Sequence, residues 1–350
     1  MRIINVENQN SQIYIGENYK NVRQYLPDKP CFLICDSNIH NYYQDFVEQF
    51  PHIIIETGEK IKNWTTVESI IEQLLELGAD RNSFILGMGG GVVCDIAGFV
   101  ASVYMRGMEF GFISTSLLSQ VDASLGGKNG INIGGLKNMV GVFNPPKFVI
   151  CDPRLLNTLP AREVRSGFGE IIKHALIQDE KLFTYLEGNR EDLLNLEADL
   201  MKDLIYRAVR IKADVVQTDP LEKGERKKLN FGHTFGHAIE NNSPLTHGEA
   251  VSIGMMLACL LSNEMGKLTS QEIIRIQDLL NAYQLPVATG VKNETIIEYL
   301  SKDKKKENNR INFIMLEKIG KAIIQAIPVE SLNTCVPTLK QKANLLPQKH

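Results

Sequence analysis

The fold is decided by the stretch Phe84-Ile-Leu-Gly-Met-Gly-Gly-Gly-Val-Val-Cys-Asp-Ile-Ala-Gly98. Its apolar start, residues 84–86, predicts a buried strand, and the glycines that follow predict a tight turn into a helix. Glycine lets a backbone approach a phosphate closely, and a helix N-terminus offers N–H donors to an anion. The glycines do not follow the GxGxxG spacing, so both a nucleotide-binding loop and a plain packed turn stay open.

Strand and helix patterns alternate around this stretch. Apolar runs at 31–35, 110–113 and 148–151 predict further buried strands. Residues 65–77 carry apolar side chains at helical spacing, and Gly78 is placed to end that helix. Strands and helices in this order predict an α/β fold with a parallel sheet.

The pattern changes after Pro160. Amphipathic helices are predicted at 162–177, 197–217, 231–242, 247–265 and 270–283. A short β-like tail at 311–315 and 322–326 precedes a weak final helix. At 350 residues two domains are expected, and we place the boundary so that residues 1–152 form the α/β domain and 153–350 a mainly α-helical one.

The composition narrows the class of protein. A net charge of −3 gives no electrostatic case for nucleic acid or an anionic membrane as a partner. The six cysteines show no CxxC pair and lie mostly in apolar runs, which predicts reduced thiols in a core. Neither a signal peptide nor an apolar run of membrane length is recognisable, so we expect a cytoplasmic protein.

Histidines are concentrated in one region. Of the seven in the chain, His233, His237 and His247 fall within fifteen residues. Residues 233 and 237 share one face of a helix, and imidazole serves both as a metal ligand and as a proton-transfer group near neutral pH. Three rings could close a metal site, or two could bind while the third moves protons. A lone helical histidine is more often a satisfied polar residue, but three together favour a site.

Two further features have the right chemistry for a site. Glu170 and Lys173 share a helix face; such a pair is usually a surface ion pair worth under about 1 kcal/mol. With a histidine cluster in need of a carboxylate, Glu170 also becomes a candidate ligand of a catalytic zinc site. The glycine-rich segment 122–138 is expected to be a polar loop of some fifteen residues that binds an anion, followed by a buried-looking run at 139–143.

Over essentially its whole length, the chain resembles the 3-dehydroquinate synthase family. The matching stretches are Gly89-Gly-Gly-Val-Val-Cys-Asp-Ile-Ala-Gly-Phe99, Tyr104-Met-Arg-Gly107, Gln120-Val-Asp-Ala-Ser124, Gly126-Gly-Lys128 with Asn132, Gly135-Leu-Lys-Asn-Met139, Thr158-Leu-Pro160, Gly169-Glu-Ile-Ile-Lys173, Leu229-Asn-Phe-Gly-His-Thr-Phe-Gly-His-Ala-Ile-Glu240 and His247-Gly-Glu-Ala250. The resemblance implies a Rossmann-like NAD-binding domain at 1–152 and a metal- and substrate-binding domain at 153–350.

It also implies a lyase of the shikimate pathway, which leads to chorismate and the aromatic amino acids. The substrate would be 3-deoxy-D-arabino-heptulosonate 7-phosphate and the product 3-dehydroquinate. Carbon 5 is oxidised by NAD, phosphate leaves by elimination, the hydride returns, and the ring opens and recloses in an aldol step. One divalent ion, zinc or cobalt, acts as a Lewis acid. A homodimer is expected.

The resemblance assigns roles to individual residues. The metal ligands would be Glu170, His233 and His247, with His237 transferring protons. The other catalytic and substrate-binding residues would be Arg106, Lys128, Asn138, Lys173, Lys212, Glu222, Arg226, Asn230 and Lys304 or Lys305. The NAD site would include Asp36, Asn38, Glu59, Lys62, Gly90, Gly91, Val92, Asp95, Thr115, Ser116, Asp122, Lys128, Lys137 and Thr158.

The chain departs from the family pattern at a few positions. Thr57 stands where the family often has Asp, Asn129 where it has Thr, and Ser114-Thr-Ser116 where it has Pro-Thr-Thr. Cys94 replaces a glycine and places a side chain next to the expected pyrophosphate site. The alternatives are a sister sugar-phosphate cyclase of the 2-deoxy-scyllo-inosose or valiolone type, a metal-dependent polyol dehydrogenase, and a catalytically inactive homologue. The Gly126-Gly-Lys-Asn-Gly130 segment and the many anion-binding residues favour dehydroquinate synthase.

Overall fold

The computed structural model describes residues 1–302, 306–307 and 309–346. The helices are α1 (Ser37–Val47), α2 (Trp64–Glu76), α3 (Gly91–Val103), α4 (Ala161–Gln178), α5 (Glu180–Gly188), α6 (Arg190–Leu194), α7 (Ala198–Thr218), α8 (His233–Glu240), α9 (His247–Glu264), α10 (Ser270–Ala282), α11 (Asn293–Lys302) and α12 (Leu332–Leu345). The strands are β1 (Arg2–Val6), β2 (Ser11–Ile15), β3 (Cys31–Asp36), β4 (His52–Ile55), β5 (Phe84–Gly89), β6 (Glu109–Ser114), β7 (Lys128–Ile133), β8 (Leu136–Phe143), β9 (Phe148–Cys151), β10 (Lys306–Glu307), β11 (Arg310–Lys318) and β12 (Lys321–Pro328).

The chain divides into two compact units. The first comprises Met1–Pro160 with Ala198–Leu221, and the second comprises Ala161–Glu197 with Glu222–His350. The boundary predicted between residues 152 and 153 therefore lies eight residues before the end of the first segment. Helix α7 belongs to the α/β unit, although its place in the sequence predicted the helical domain. An amphipathic pattern shows that a helix buries one face but does not say against which core.

The first unit is built on a seven-stranded sheet in the order β1-β2-β9-β6-β5-β3-β4. The β1–β2 pair is antiparallel and every other pairing is parallel, which confirms the predicted α/β fold with a parallel sheet. The strands predicted at 31–35, 84–86, 110–113 and 148–151 are all present. Their inward side chains, such as Leu33, Leu86 and Ile113, are fully buried. Such continuous apolar runs are expected where helices cover both faces of a sheet.

The predicted polar loop at 122–138 is wrong. One π-helical turn at Ser119–Ala123 leads into the antiparallel hairpin β7–β8, whose two-residue turn is Gly134-Gly135, both with positive φ. The run at 139–143 is also not buried, since Met139 is 38% and Phe143 51% exposed. Its apolar residues lie in β8 of the separate two-stranded sheet and not in a strand of the central sheet.

Helices predominate in the second unit, and a three-stranded antiparallel sheet, β10-β11-β12, accompanies them. Helix α9 is central: it packs against α4, α8, α10, α12 and β11. The predicted helices and the β tail are confirmed, with one shift at the helix predicted from 231. That helix begins at His233, because Gly232 before it has a φ of 79°. Within the described residues, none of the helices has the length and apolar character needed to span a membrane.

Candidate active site

Three helices of the second unit bring Glu170, His233 and His247 together. Glu170 lies in the middle of α4, His233 is the first residue of α8 and His247 is the first residue of α9. One ligand atom of each lies within 4.8 Å of those of the other two. The Nε2 atoms of His233 and His247 lie 3.6 and 3.3 Å from the same carboxylate oxygen, Oε1 of Glu170. The two nitrogens therefore face one point in space.

Close backbone contacts make this meeting possible. A Cβ atom on Gly248 would lie 2.0 Å from the carbonyl oxygen of Ser166, so α9 touches α4 where only glycine fits. At the same crossing, the N–H of Gly248 donates to Oγ of Ser166 at 3.0 Å. On the other side, a Cβ on Gly254 would lie 2.0 Å from the carbonyl oxygen of Gly232, which brings α9 equally close to the start of α8. Small residues thus set the spacing of the three side chains.

Both histidines are anchored through their other ring nitrogen. Nδ1 of His233 lies 3.1 Å from the carbonyl oxygen of Phe231, and Nδ1 of His247 lies 3.2 Å from Oε2 of Glu240. Carbonyl and carboxylate oxygens only accept hydrogen bonds, so each Nδ1 must carry a proton and each Nε2 is the atom available to a ligand.

The two rings differ in their electrostatics. Burial lowers the pKa of His233 well below its ordinary value, in spite of the nearby carboxylate of Glu170. Burial also opposes protonation of His247, but its contacts with Glu170 and Glu240 prevail and raise its pKa to about 10. A buried carboxylate therefore compensates a positive charge at His247, and a bound cation would take the place of that charge.

The same side of α4 carries a buried charged pair. Lys173 and Glu170 form an ion pair and are 1% and 0% exposed, so the usual reading of such a pair as a surface feature is wrong here. The ring of His237 lies 5.3 Å from that of His233 and 6.3 Å from that of His247, measured between centroids. It is half-buried, one helical turn after His233. The ring of His237 thus lies beside the two histidines of the ligand cluster but is not part of it.

Further polar residues predicted for the site lie in the segment before α8. Glu222 accepts a hydrogen bond from the amide of Asn230, and Arg226 between them is only 2% exposed. This segment packs against α4, the helix that carries Glu170. Lys304 and Lys305 lie outside the described residues.

In the first unit, the residues predicted for NAD follow adjacent parallel strands. Asp36 ends β3, Gly90 follows β5, and Thr115 follows β6. Gly90 is the N-cap of α3 and has no side chain to occupy that helix end. A Cβ atom there would lie 3.3 Å from Oγ of Ser116, so the turn and this serine form a narrow cradle. Carboxyl ends of parallel strands with a helix N-terminus are the usual place for a dinucleotide.

Two of the residues predicted for NAD, Asp36 and Thr158, already form hydrogen bonds within the protein. Oδ1 of Asp36 accepts the N–H of Ile39 and caps α1, and burial raises the pKa of Asp36. A cavity of about 380 Å³ next to it is lined by Ser37, Glu56 and Thr57 among others. The hydroxyl oxygen Oγ1 of Thr158 lies 2.9 Å from the hydroxyl oxygen of Tyr43.

Lys62 links the N-terminal part of α3 to the β7–β8 hairpin. Its ammonium group is paired with the carboxylate of Asp95 and donates to Oδ1 of Asn138 at 2.6 Å. Lys62 is 4% exposed, and burial raises the pKa of Asp95 in spite of this partner. Asn132 fixes the hairpin further, since it accepts the N–H of Asn138 and donates to Glu59. Residues predicted for cofactor and for substrate thus meet here.

Helix α7 supplies a second buried lysine to this unit. Nζ of Lys212 lies 2.6 Å from both the backbone oxygen and Oδ1 of Asp122 in the π-helical turn. Lys128 at the start of β7 and Arg106 are exposed, whereas Lys137 is half-buried. Arg106 has a φ of 69°, directly after Met105 at 49°, which is a strained pair of positions for residues with side chains.

Two residues with clear contacts to the site were missed by sequence reasoning. Glu240 could have been found from its spacing, because residues 233, 237 and 240 lie on one face of a helix. Ser166 carries no comparable signal; its role depends on the crossing of α4 and α9, which is a tertiary feature.

Comparison with known proteins is consistent with this geometry. The family model described as 3-dehydroquinate synthase N-terminal matches residues 52–166, and the one described as 3-dehydroquinate synthase C-terminal matches residues 167–306. A curated 3-dehydroquinate synthase of Dictyoglomus thermophilum is 41% identical over 322 residues, covering 89% of this chain and 90% of its own. That of Nitrosomonas europaea is 39% identical over 352 residues, covering 94% and 95%.

Solved structures with similar folds include two sister enzymes. The 2-epi-5-epi-valiolone synthase of Streptomyces hygroscopicus, with NAD⁺ and Zn²⁺ bound, has a TM-score of 0.88 and 27% identity and covers 98% of this chain and 100% of its own. A 2-deoxy-scyllo-inosose synthase in complex with carbaglucose-6-phosphate, NAD⁺ and Co²⁺ has a TM-score of 0.82 and 27% identity, covering 94% and 96%.

Proposed function

The chain belongs to the 3-dehydroquinate synthase family, and we propose that it converts 3-deoxy-D-arabino-heptulosonate 7-phosphate into 3-dehydroquinate and inorganic phosphate. The observation that carries the proposal is that Glu170, His233 and His247 meet on three helices. They do so in a chain that is about 40% identical to curated 3-dehydroquinate synthases. Phosphate leaves from carbon, so the enzyme is a carbon–oxygen lyase. We also propose that it acts in the cytoplasm, in the shikimate pathway, as a homodimer.

The donor set of the second unit fits a divalent metal ion. Two imidazole nitrogens and one carboxylate oxygen are the ligands of many catalytic zinc sites, which keep one position for substrate. The solved relatives hold Zn²⁺ or Co²⁺, and either ion suits these ligands. When bound, the ion supplies a Lewis acid that polarises the substrate's oxygen atoms. Glu170, His233 and His247 would hold it.

The glycine turn of the first unit fits NAD. Gly90, Gly91 and Val92 at the start of α3 would receive the pyrophosphate, and Asp36 and Asn38 the adenine-side ribose. The other contacts proposed for NAD are those of Glu59, Lys62, Asp95, Thr115, Ser116, Asp122, Lys128, Lys137 and Thr158. When bound, NAD supplies the acceptor that takes the substrate's hydride and later returns it.

The chain's own residues would bind the anionic substrate and move its protons. Elimination of phosphate requires removal of a proton beside a ketone, and His237 is the titratable ring placed next to the ligand histidines. Cationic side chains would grip phosphate and carboxylate, the arginines bidentately and the lysines as point charges. The cations proposed for this are Arg106, Lys128, Lys173, Lys212, Arg226 and Lys304. Asn138, Glu222 and Asn230 are proposed to line the substrate at its hydroxyl groups.

A direct assay tests the proposal. Purified protein with the heptulosonate phosphate, catalytic NAD and zinc is expected to release one phosphate per substrate with no net gain of NADH absorbance. Lack of phosphate release would reject the assignment. Stoichiometric NADH would indicate a polyol dehydrogenase instead. Because the similar solved structures are sister cyclases, other sugar phosphates are tested in parallel; faster turnover of one of these would favour that alternative.

A further inference from the structure

Glu240 is a buried carboxylate behind the proposed metal ligands, and neither the sequence motifs nor the proposed reaction gives it a role. It is the last residue of α8, and its side chain is 9% exposed. A carboxylate so far removed from water is costly unless it is paired or hydrogen-bonded. Its Oε2 lies 3.2 Å from Nδ1 of His247, the first residue of α9. The two helix ends are therefore joined through this contact.

We propose that Glu240 is a positioning residue that fixes the ring orientation and tautomer of His247 for metal binding. The carboxylate accepts the Nδ1–H, so in the neutral ring the lone pair is on Nε2, the atom 3.3 Å from Glu170. A carboxylate behind a ligand histidine also raises the basicity of that ligand. This inference rests on the metal premise of the proposed function.

The two ligand histidines are held by different kinds of group, which makes the role of Glu240 accessible to mutation. His233 is anchored by the backbone oxygen of Phe231, which no side-chain substitution removes. His247 is anchored by a side chain that can be shortened or neutralised. Loss of Glu240 should therefore remove the anchor of His247 while the backbone anchor of His233 remains.

The test is zinc affinity, measured by competition with a chromophoric chelator in the absence of substrate and NAD. Glu240→Ala is expected to weaken zinc binding about 10- to 100-fold. Glu240→Gln should lose less than about tenfold, because its amide oxygen still accepts the Nδ1–H while the charge is gone. This rescue by the conservative variant separates orientation from a general loss of packing. Wild-type affinity in Glu240→Ala would overturn the proposal.

Glu272 provides the matched control. It is a half-buried glutamate of the same unit, and its carboxylate caps α10 through Thr269 and accepts the N–H of Ile319. Glu272→Ala is expected to lower stability with a change in zinc affinity below about threefold. An equal loss of affinity in Glu272→Ala and Glu240→Ala would show that destabilisation of the unit is the cause, and the proposal would fall.

A spectroscopic measurement on the unaltered protein does not depend on any variant folding. Long-range ¹H–¹⁵N spectra of histidine-labelled, zinc-loaded protein distinguish a protonated from a metal-bound ring nitrogen. His247 is expected to show a protonated Nδ1 and a metal-bound Nε2; the reverse assignment would overturn the proposal. If the wild-type protein binds no zinc at all, the metal premise fails. If only the Glu240 results disagree, the proposed reaction still stands on phosphate release.

Discussion

At the scale of single residues, identical side chains receive different roles from their position. His233, His237 and His247 are all imidazoles within fifteen residues, and spacing alone leaves open which of them bind metal. Of these three histidines, His233 and His247 have ring nitrogens that cluster with a carboxylate oxygen of Glu170, and His237 is not part of that group.

This separation predicts different losses for two equivalent substitutions. His247→Ala removes one of three ligands and is expected to abolish stoichiometric zinc binding. His237→Ala removes a ring outside the ligand cluster, so zinc stays bound while turnover falls about 10²- to 10⁴-fold, the range expected for a general acid or base. Metal content after gel filtration and phosphate-release kinetics measure the two effects. Equal loss of metal in both variants would show that the roles are misassigned.

Cys94 is a second residue whose role depends on where its side chain points. It stands in the glycine turn region, yet it is 1% exposed and its Sγ donates to the carbonyl oxygen of Gly89 at 3.8 Å. Burial raises the pKa of its thiol far above the ordinary value, so the group is neutral and part of the core. We therefore expect the side chain to leave the pyrophosphate position clear.

We predict that Cys94→Gly, which restores the common family residue, changes NAD affinity by less than about twofold. It should lower the free energy of unfolding by about 2 kcal/mol, since a helical glycine costs about 1 kcal/mol and the lost side chain leaves a small cavity. Isothermal titration with NAD and urea denaturation measure the two quantities. Cys94→Ala is the control for helix propensity. NAD binding more than fivefold tighter in Cys94→Gly would mean that the thiol does crowd the cofactor.

At the scale of elements, apolar periodicity predicted the buried strands and long helices well. Strands such as β5 and β9 are continuous apolar runs, and helices such as α4 and α9 extend over five turns, so their patterns are strong. The β7–β8 hairpin was missed because its strands contain polar and glycine residues that resemble a loop. The signal was present in Ile133-Gly-Gly-Leu136, since a Gly-Gly pair between two strands is typical of a tight hairpin turn.

The crossing of α4 and α9 could not be predicted from the sequence, although it sets the position of two metal-ligand candidates. A helical glycine shows only that some close approach is tolerated, and not which element approaches. In the structure the partner of Gly248 is the backbone of Ser166, four residues before Glu170. Backbone cannot move aside as a flexible side chain can, so this contact fixes the distance between the helices.

We therefore predict that Gly248→Ala is strongly disruptive. The added methyl group would lie 2.0 Å from the Ser166 carbonyl oxygen, which forces α4 and α9 apart. Overpacking of this kind costs about 1–3 kcal/mol, and zinc affinity should fall at least tenfold because His247 and Glu170 separate. Gly188→Ala at the end of α5 is the control, since nothing lies within 4 Å of its added atom. Unchanged zinc binding in Gly248→Ala would contradict the role of this crossing.

At the scale of the whole molecule, the fold alone does not select the reaction. A valiolone synthase superposes with a TM-score of 0.88 at 27% identity, whereas the curated dehydroquinate synthase of Dictyoglomus thermophilum is 41% identical. Enzymes with different substrates thus share this architecture, and the choice among them depends on the residues that line the site. The order of motifs in the sequence was enough to recognise the family, but the partners of Lys62, Lys212 and Glu240 required the structure.

Helix α7 provides a test of whether each of the two units opens as one cooperative unit. It follows a segment of the second unit, yet its contacts are with the first: Asp203 pairs with Arg2 at 2.8 Å, Gln217 accepts from Asn8, and Lys212 donates to Asp122. At a free concentration of a hundred times its Kd, a ligand stabilises the unit that it binds by about 2.7 kcal/mol. Amide hydrogens that exchange only when that unit opens should then exchange about 100-fold more slowly.

The exchange rate of α7 is therefore expected to respond to the ligand of the first unit, which α7 contacts, and not to the ligand of the second unit, a segment of which precedes α7 in the chain. Saturating NAD should slow exchange in α3 and in α7 together, and zinc added to metal-free protein should slow α4, α8 and α9 while α7 changes little. Mass spectrometry of peptides covering residues 198–218 and 233–264 provides the comparison, with protein lacking both ligands as the reference. If α7 followed zinc with α8 instead of NAD with α3, it would belong energetically to the second unit, and its buried Lys212 would have to be reassigned with it.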